Sequence, residues 1–164
     1  MKIRTTNLFV MLLIVLVFFT ACGNTNRITD DKKLDEKTIR NMIDSFKFIF
    51  IAQHVTPATG GGRALSSGYH ISVSKDSVIS VLPFFGRGYI APVSPAEVDL
   101  DFTSTKFTHT TSQLRKGWNI SISPKDQHYL LQLYFRIFEN GSASLNITSI
   151  DRSAISYTGY IANH

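Results

Sequence analysis

Residues 129–150 read YLLQLYFRIFENGSASLNITSI, with β-forming residues on either side of Asn140-Gly141. Asn and Gly both tolerate the positive φ angles that a two-residue hairpin turn of the primed type requires. Apolar and polar residues alternate along each run, which is typical of a half-buried strand. The stretch therefore predicts an antiparallel hairpin that pairs Tyr129–Phe138 with Ser142–Ile150.

The same alternation continues on both sides of this hairpin. A second hairpin is predicted where two apolar runs flank Ser74-Lys75-Asp76-Ser77. Connections after about residue 65 are too short for parallel crossovers, which need about a dozen residues or more. We therefore expect an antiparallel meander with these further strands: Tyr69–Val73, Val78–Leu82, Val98–Thr103, Lys106–Gln113, Trp118–Ile122 and Ile155–Ile161.

An amphipathic helix is predicted at Leu34–Phe46, where apolar residues recur every three or four positions. The period changes to two over Phe46–Gln53, which favours a largely buried strand, with continuation of the helix as the alternative. The predicted fold class is α+β: one amino-terminal helix and a curved, mainly antiparallel sheet of about eight or nine strands. We expect the helix to close this sheet in part, and the pattern leaves open whether the sheet forms a partly open barrel.

The amino terminus has the layout of an export signal. Lys2 and Arg4 precede an apolar run from Leu8 to Phe19, which is too short for a membrane-spanning helix of about 20 residues. Phe19-Thr20-Ala21-Cys22 then resembles the lipobox of bacterial lipoproteins. We expect residues 1–21 to be removed, Cys22 to carry lipid, residues 22–33 to form a flexible polar tether and residues 34–164 to form one β-rich domain.

Composition limits the chemistry of that domain. Cys22 is the single cysteine, so a lipidated protein would contain neither disulfides nor thiolate metal sites. Loss of Lys2 and Arg4 would leave 15 basic against 12 acidic residues, a charge of +3. The charges are interspersed, and we expect no nucleic-acid partner. The expected location is the outer membrane, with its periplasmic face favoured over the cell surface.

No catalytic constellation emerges from the motifs. Gly86-Arg87-Gly88 lacks the lysine and serine of a phosphate loop. Asp99 and Asp101 share one face of a strand, which suits paired carboxylates but equally a solvated face. The five histidines lack metal-ligand spacing, so we expect no metal. They are His54, His70, His109, His128 and His164. A G-x-S-x-G nucleophile elbow is also absent from the sequence, and we expect no cofactor and no enzymatic activity.

Two surface features are candidates for recognition or modification. Arg87 lies between Phe85 and Tyr89, and arginine and aromatic residues are enriched at interfaces, so these three residues form a candidate interaction patch. Asp76-Ser77-Val78 resembles the O-glycosylation motif of exported Bacteroides-type proteins, which makes Ser77 a candidate modification site.

The run LPFFGRGYIAP at residues 82–92 resembles the signature of an uncharacterised lipoprotein family of Bacteroides-type gut bacteria, domain of unknown function 4251. Phe46–Ala52, Pro57 and the Tyr69–Ser80 hairpin follow the order of that family. The resemblance implies only the fold and the cellular location, because the family has no established activity or ligand.

The functional expectation is a lipid-anchored, non-catalytic binding or structural module that contacts the membrane and an envelope component. The alternative is a small carrier of lipid or another apolar ligand, with a cavity lined by aromatic side chains. The candidates for that lining are Trp118, Tyr129, Tyr134, Phe135 and Phe138.

Overall fold

One helix and ten β-strands make up the computed structural model, which describes residues 34–89, 99–127 and 130–164. The predicted leader, Cys22 and the tether lie outside the described residues. The elements are α1 (Glu36–Asp44), β1 (Phe48–Pro57), β2 (Arg63–Ala64), β3 (His70–Val73), β4 (Val78–Val81), β5 (Phe102–Ser104), β6 (Phe107–Leu114), β7 (Gly117–Pro124), β8 (Gln132–Phe138), β9 (Ser142–Thr148) and β10 (Ile155–Ala162). The predicted combination of an amino-terminal helix with an antiparallel sheet is confirmed.

The strands form a single sheet in the order β5-β4-β3-β1-β10-β9-β8-β7-β6, with β2 paired to β1. All pairings are antiparallel. Two meanders, β3–β5 and β6–β9, are joined through the central pair of β1 and β10. The sequence predicts the hairpins but does not predict that the first and last strands would pair.

The pairing of β1 with β10 depends on Gly159. The register shifts between Ala52 and His54, a bulge that brings the Ile51 carbonyl against Gly159. A Cβ at residue 159 would overlap that carbonyl oxygen, so only glycine fits there.

The sheet curls strongly around its inward-facing side chains. β1 and β8 are three steps apart, which in a flat sheet is about 14 Å. Nevertheless, the ring of Phe135 on β8 lies 5.8 Å from the rings of both Phe48 and Phe50 on β1, in edge-to-face geometry. All three side chains are buried. The sheet is therefore barrel-like, and its two edges form an unsealed seam.

The two edge strands, β5 and β6, are consecutive in the chain and are linked only by Thr105 and Lys106. The Asp126 carboxylate secures this corner, because it accepts hydrogen bonds from the Ser104 hydroxyl and from the backbone N–H groups of Thr105 (2.8 Å) and Lys106 (3.1 Å). The Lys125 N–H also donates to the Lys106 carbonyl at 2.6 Å. The hydrogen bond from Ser104, followed by those from the backbone, holds the pKa of Asp126 well below its usual range.

Helix α1 covers one end of the curled sheet. Ile39 faces Gly141 at the β8–β9 turn, and the Arg40 guanidinium lies 5.4 Å from the Trp118 ring at the start of β7. After the helix, the Phe46 ring stacks on His109 of β6, with ring centroids 3.9 Å apart. The residue that follows the helix therefore contacts β6, and the predicted partial closure of the sheet by this helix is confirmed.

The helix ends in a left-handed residue that is normally glycine. Phe46 has a φ angle of +53°, and the N–H groups of Phe46 and Lys47 donate to the carbonyls of Ile43 and Met42. A left-handed conformation costs an L-residue about 1–2 kcal/mol. The buried Phe46 ring offsets this cost through its contacts with Phe48, Phe107 and His109.

Within the described ranges, no helix combines the length and apolar character that a membrane crossing requires.

Asp126→Asn should destabilise the protein at neutral pH and reduce the pH dependence of its stability. The carboxylate has a lower pKa when folded than in an unfolded chain, where it is about 3.9. Its contribution is therefore fully present above about pH 4 and is lost as the pH falls further. Urea unfolding measures the free energy of unfolding at pH 7 and at pH 3. Between these two pH values it should fall by more for the wild type than for the variant.

The matched control is Asp76→Asn, which changes an exposed carboxylate in the β3–β4 turn. If Asp126→Asn is as stable as the wild type at pH 7, the Asp126 carboxylate does not stabilise the corner.

Candidate functional site

Residues 82–89 are here called the signature segment. Three side chains form hydrogen bonds with its backbone. The N–H groups of Leu82 and Phe84 donate to the carboxylates of Asp101 (2.9 Å) and Asp99 (3.1 Å). The buried Tyr157 hydroxyl donates to the Pro83 carbonyl at 2.7 Å. Asp99 and Asp101 therefore bind backbone amides of this segment.

Burial, reinforced by the negative charge of Asp99, raises the pKa of Tyr157 well above its usual value. The phenol therefore stays protonated and keeps donating to Pro83 across the physiological range.

A short antiparallel bridge holds the far end of the signature segment, with Gly88 opposite Arg152. Arg87 donates its N–H to the Ser153 hydroxyl at 3.0 Å and accepts the Ser153 N–H at 2.9 Å. The Tyr89 N–H donates to the Asp151 carbonyl at 2.6 Å. The backbone of the segment is thus fixed on both sides of Gly86.

A charged pair belongs to the same region, because Arg152 is itself a bridge residue. Asp151 is buried and pairs with Arg152, with Nε and Oδ2 2.8 Å apart, while the Ser149 hydroxyl donates to the same carboxylate. The Arg152 guanidinium also lies 5.0 Å from the ring of Phe84, which packs against the core.

The candidate patch residues project from this fixed backbone into solvent. Phe85 is 39% exposed, Tyr89 is 67% exposed, and Arg87 is also exposed. The guanidinium that lies over the Phe85 ring, at 4.5 Å, belongs to Arg63 of β2. Ile150, beside the Asp151 carbonyl that binds Tyr89, is 62% exposed. The patch therefore combines aromatic, aliphatic and cationic side chains.

A second candidate site is a trough of about 390 Å³ on the solvent face of β6–β10, here called the outer trough. Two rows of outward-pointing side chains form its walls. One row is Thr110, Ser121, Tyr134, Asn146 and Ser156, and the other is Ser112, Asn119, Arg136, Ser144 and Thr158. Between them the floor is the backbone of residues whose side chains point into the core: Ile120, Phe135, Leu145 and Tyr157.

The aromatic residues proposed to line an internal cavity divide between the two faces of the sheet. Trp118 and Phe135 are buried, whereas Tyr134 is 46% exposed and Phe138 is 41% exposed. Tyr129 lies outside the described residues. The sequence predicted an internal cavity lined by these rings and did not predict the outer trough. Its signal was the Ser, Asn and Thr residues at alternate positions of β7 and β9.

The remaining predicted residues are dispersed. Ser77 is half-buried in the β3–β4 turn, where its hydroxyl lies 3.1 Å from that of Ser74. Of the histidines, His109 stacks on Phe46 and His164 bonds to Ser72, while His128 is outside the described residues. Across residues 34–89, 99–127 and 130–164, no three potential metal ligands converge.

The comparison with protein families gives one decisive match: the model of the domain of unknown function DUF4251 covers residues 30–161. The chain belongs to the DUF4251 family. This DUF4251 chain is also similar to a solved structure, a DUF4251 family protein from Bacteroides eggerthii DSM 20697. The match has a TM-score of 0.59 and 14% identity, and covers 78% of this chain and 87% of the other. The comparison with curated proteins found no match.

The family membership confirms the resemblance carried by the LPFFGRGYIAP run. At 14% identity, the solved DUF4251 structure supports the fold alone.

Gly86→Ala should loosen the signature segment while the rest of the DUF4251 domain stays folded. A Cβ at residue 86 would overlap the Phe84 ring and the Ser153 hydroxyl. Overpacking of this kind costs about 1–3 kcal/mol, so tryptic cleavage after Arg87 should become roughly tenfold faster or more. Mass spectrometry of the early fragments measures that rate.

Gly61→Ala is the matched control, because a Cβ there would meet no atom within 4 Å. Equal cleavage rates after Arg87 in the two variants would show that residue 86 is not tightly packed.

Proposed function

We propose that the protein is a non-catalytic binding module, anchored by lipid on Cys22 in the cell envelope, that recognises a protein partner through the signature segment. The observation that carries the proposal is the fixed backbone that presents Phe85, Arg87 and Tyr89 to solvent. Side chains on a prearranged backbone lose less conformational freedom on binding, which favours affinity.

The chemistry of this surface suits a protein partner. Large aromatic and arginine side chains account for most of the binding energy at protein interfaces. Arg63 adds a second guanidinium against the Phe85 ring, and Ile150 adds apolar area beside Tyr89. A partner with apolar pockets and some acidic character would complement this combination.

Binding is favoured over catalysis because the polar groups that contact the segment have structural partners. Asp151 pairs with Arg152, Tyr157 donates to Pro83, and Asp99 and Asp101 accept backbone N–H groups. Binding through the surface is likewise favoured over carriage of an apolar ligand. The interior rings of Phe48, Phe50 and Phe135 contact one another, and a ligand would have to displace them.

The anchor is supported by the export layout and by Cys22 directly after Phe19-Thr20-Ala21. A diacylglyceryl group with an amide-linked chain supplies more than one acyl chain, which makes attachment effectively permanent. The proposed location is the periplasmic face of the outer membrane. Protease treatment of intact cells should leave the domain undigested, whereas its digestion would place it on the cell surface.

Cys22→Ser should abolish lipid labelling and release the protein from membranes. Cells fed an alkyne-labelled fatty acid should incorporate it into the wild type and not into the variant, and fractionation should move the variant out of the membrane pellet. Ser77→Ala is the control, because it leaves the lipobox intact. If Cys22→Ser incorporates as much labelled fatty acid as the wild type, the lipid is not attached at Cys22.

A photo-crosslinking amino acid in place of Tyr89 should form a discrete protein adduct in living cells. The same replacement of Tyr160, which is 37% exposed on β10, is the control. The adduct at residue 89 should disappear when Arg63→Glu is added, because the guanidinium over Phe85 is lost. Equal adducts at both positions, or none at residue 89, would contradict recognition through the signature segment.

A further inference from the structure

The outer trough has the volume of a ligand site. Its volume of about 390 Å³ falls within the roughly 300–1,000 Å³ of ligand pockets. It crosses five strands, and the four spacings between them, each about 4.8 Å, amount to about 19 Å. An occupant that fills it is therefore elongated and lies across the strands.

We infer that the outer trough binds a neutral oligosaccharide. The proposal concerns a different surface from the signature segment and does not depend on the proposed function.

The walls offer hydrogen bonds of both kinds at close intervals. Serine and threonine hydroxyls and asparagine amides each donate and accept, as the hydroxyls of a sugar do. Cross-strand bonds hold some of these groups in position: Asn146 Nδ2 donates to Ser156 Oγ at 2.9 Å, and Arg136 Nε donates to Asn119 Oδ1 at 3.4 Å. The amide of Asn146 and the guanidinium of Arg136 retain further donors for a ligand.

Tyr134 supplies an apolar platform in the middle of its row. Its side chain is 46% exposed and stands between Ser121 and Asn146 in the register of the strands. The negative face of an aromatic ring attracts positively polarised edges such as the C–H groups of a sugar ring. A rigid tyrosine among serine and asparagine side chains is also the composition that antibodies use for adaptable recognition.

Charge distinguishes this ligand class from others. Arg136 is the single charged residue in the walls of the trough, whereas nucleic acid and polyanionic glycans require several cations along the site. The walls also lack the clustered apolar anchors on which protein partners depend. An uncharged, hydroxyl-rich chain is the occupant that matches both properties.

The test is calorimetric titration of the full chain with four neutral hexasaccharides: maltohexaose, cellohexaose, xylohexaose and chitohexaose. The protein is kept in a detergent without a sugar headgroup, because its amino-terminal run is strongly apolar and a maltoside would compete. At least one hexasaccharide should bind. Tyr134→Ala and Asn146→Ala should each weaken binding about tenfold or more, as truncation of a central contact does.

Phe138→Ala is the matched control, because Phe138 lies on the same strand and face, is 41% exposed and is outside the trough. It should bind like the wild type, and thermal melts should show that all three variants are folded. The inference is overturned if none of the four sugars binds, if Tyr134→Ala binds as tightly as Phe138→Ala, or if hexagalacturonate binds more tightly than every neutral sugar.

Discussion

Strand order and chain connectivity together force the sheet to curl. β5 and β6 are opposite edges of a nine-strand path, so in a flat sheet they would lie about 38 Å apart. The chain joins them through Thr105 and Lys106 alone, and three Cα steps reach at most about 11 Å. The two edges therefore meet at one corner, and Asp126 binds the hydroxyl and N–H groups that this corner would otherwise leave unpaired.

Curvature determines what each face of the sheet can do. The inner face becomes narrow enough for Phe135 to contact Phe48 and Phe50 from the opposite side, and α1 covers the nearby end. The outer face carries the polar rows of the trough, and the signature segment packs against residues 151–153 just before β10. Both proposed binding surfaces therefore lie on the outside of the sheet, while the interior stabilises the fold.

Much of this architecture is predictable from local patterns. Alternation and turn residues predict the helix and nearly all the strands, and Asn140-Gly141 lies at the β8–β9 turn. The predicted two-residue primed turn is wrong, because the connection has three residues and Gly141 has a positive φ whereas Asn140 does not. Two features of the architecture could not be predicted from the sequence. The two-residue strand β2 is too short to show a period, and the pairing of β1 with β10 joins residues that are 98 to 113 positions apart. The outer trough depends on register across five strands, which no single segment encodes.

The central claim is that the edges of the sheet meet and are held together at the β5–β6 corner. Amide hydrogen exchange measured by NMR tests it most directly, at the N–H groups of Thr105, Lys106 and Lys125. These groups bond to Asp126 and to the Lys106 carbonyl, so the account predicts exchange well below the rate of an unstructured peptide. Exchange of all three at the unstructured rate, while the amides of β7–β10 stay protected, would show that the corner is open.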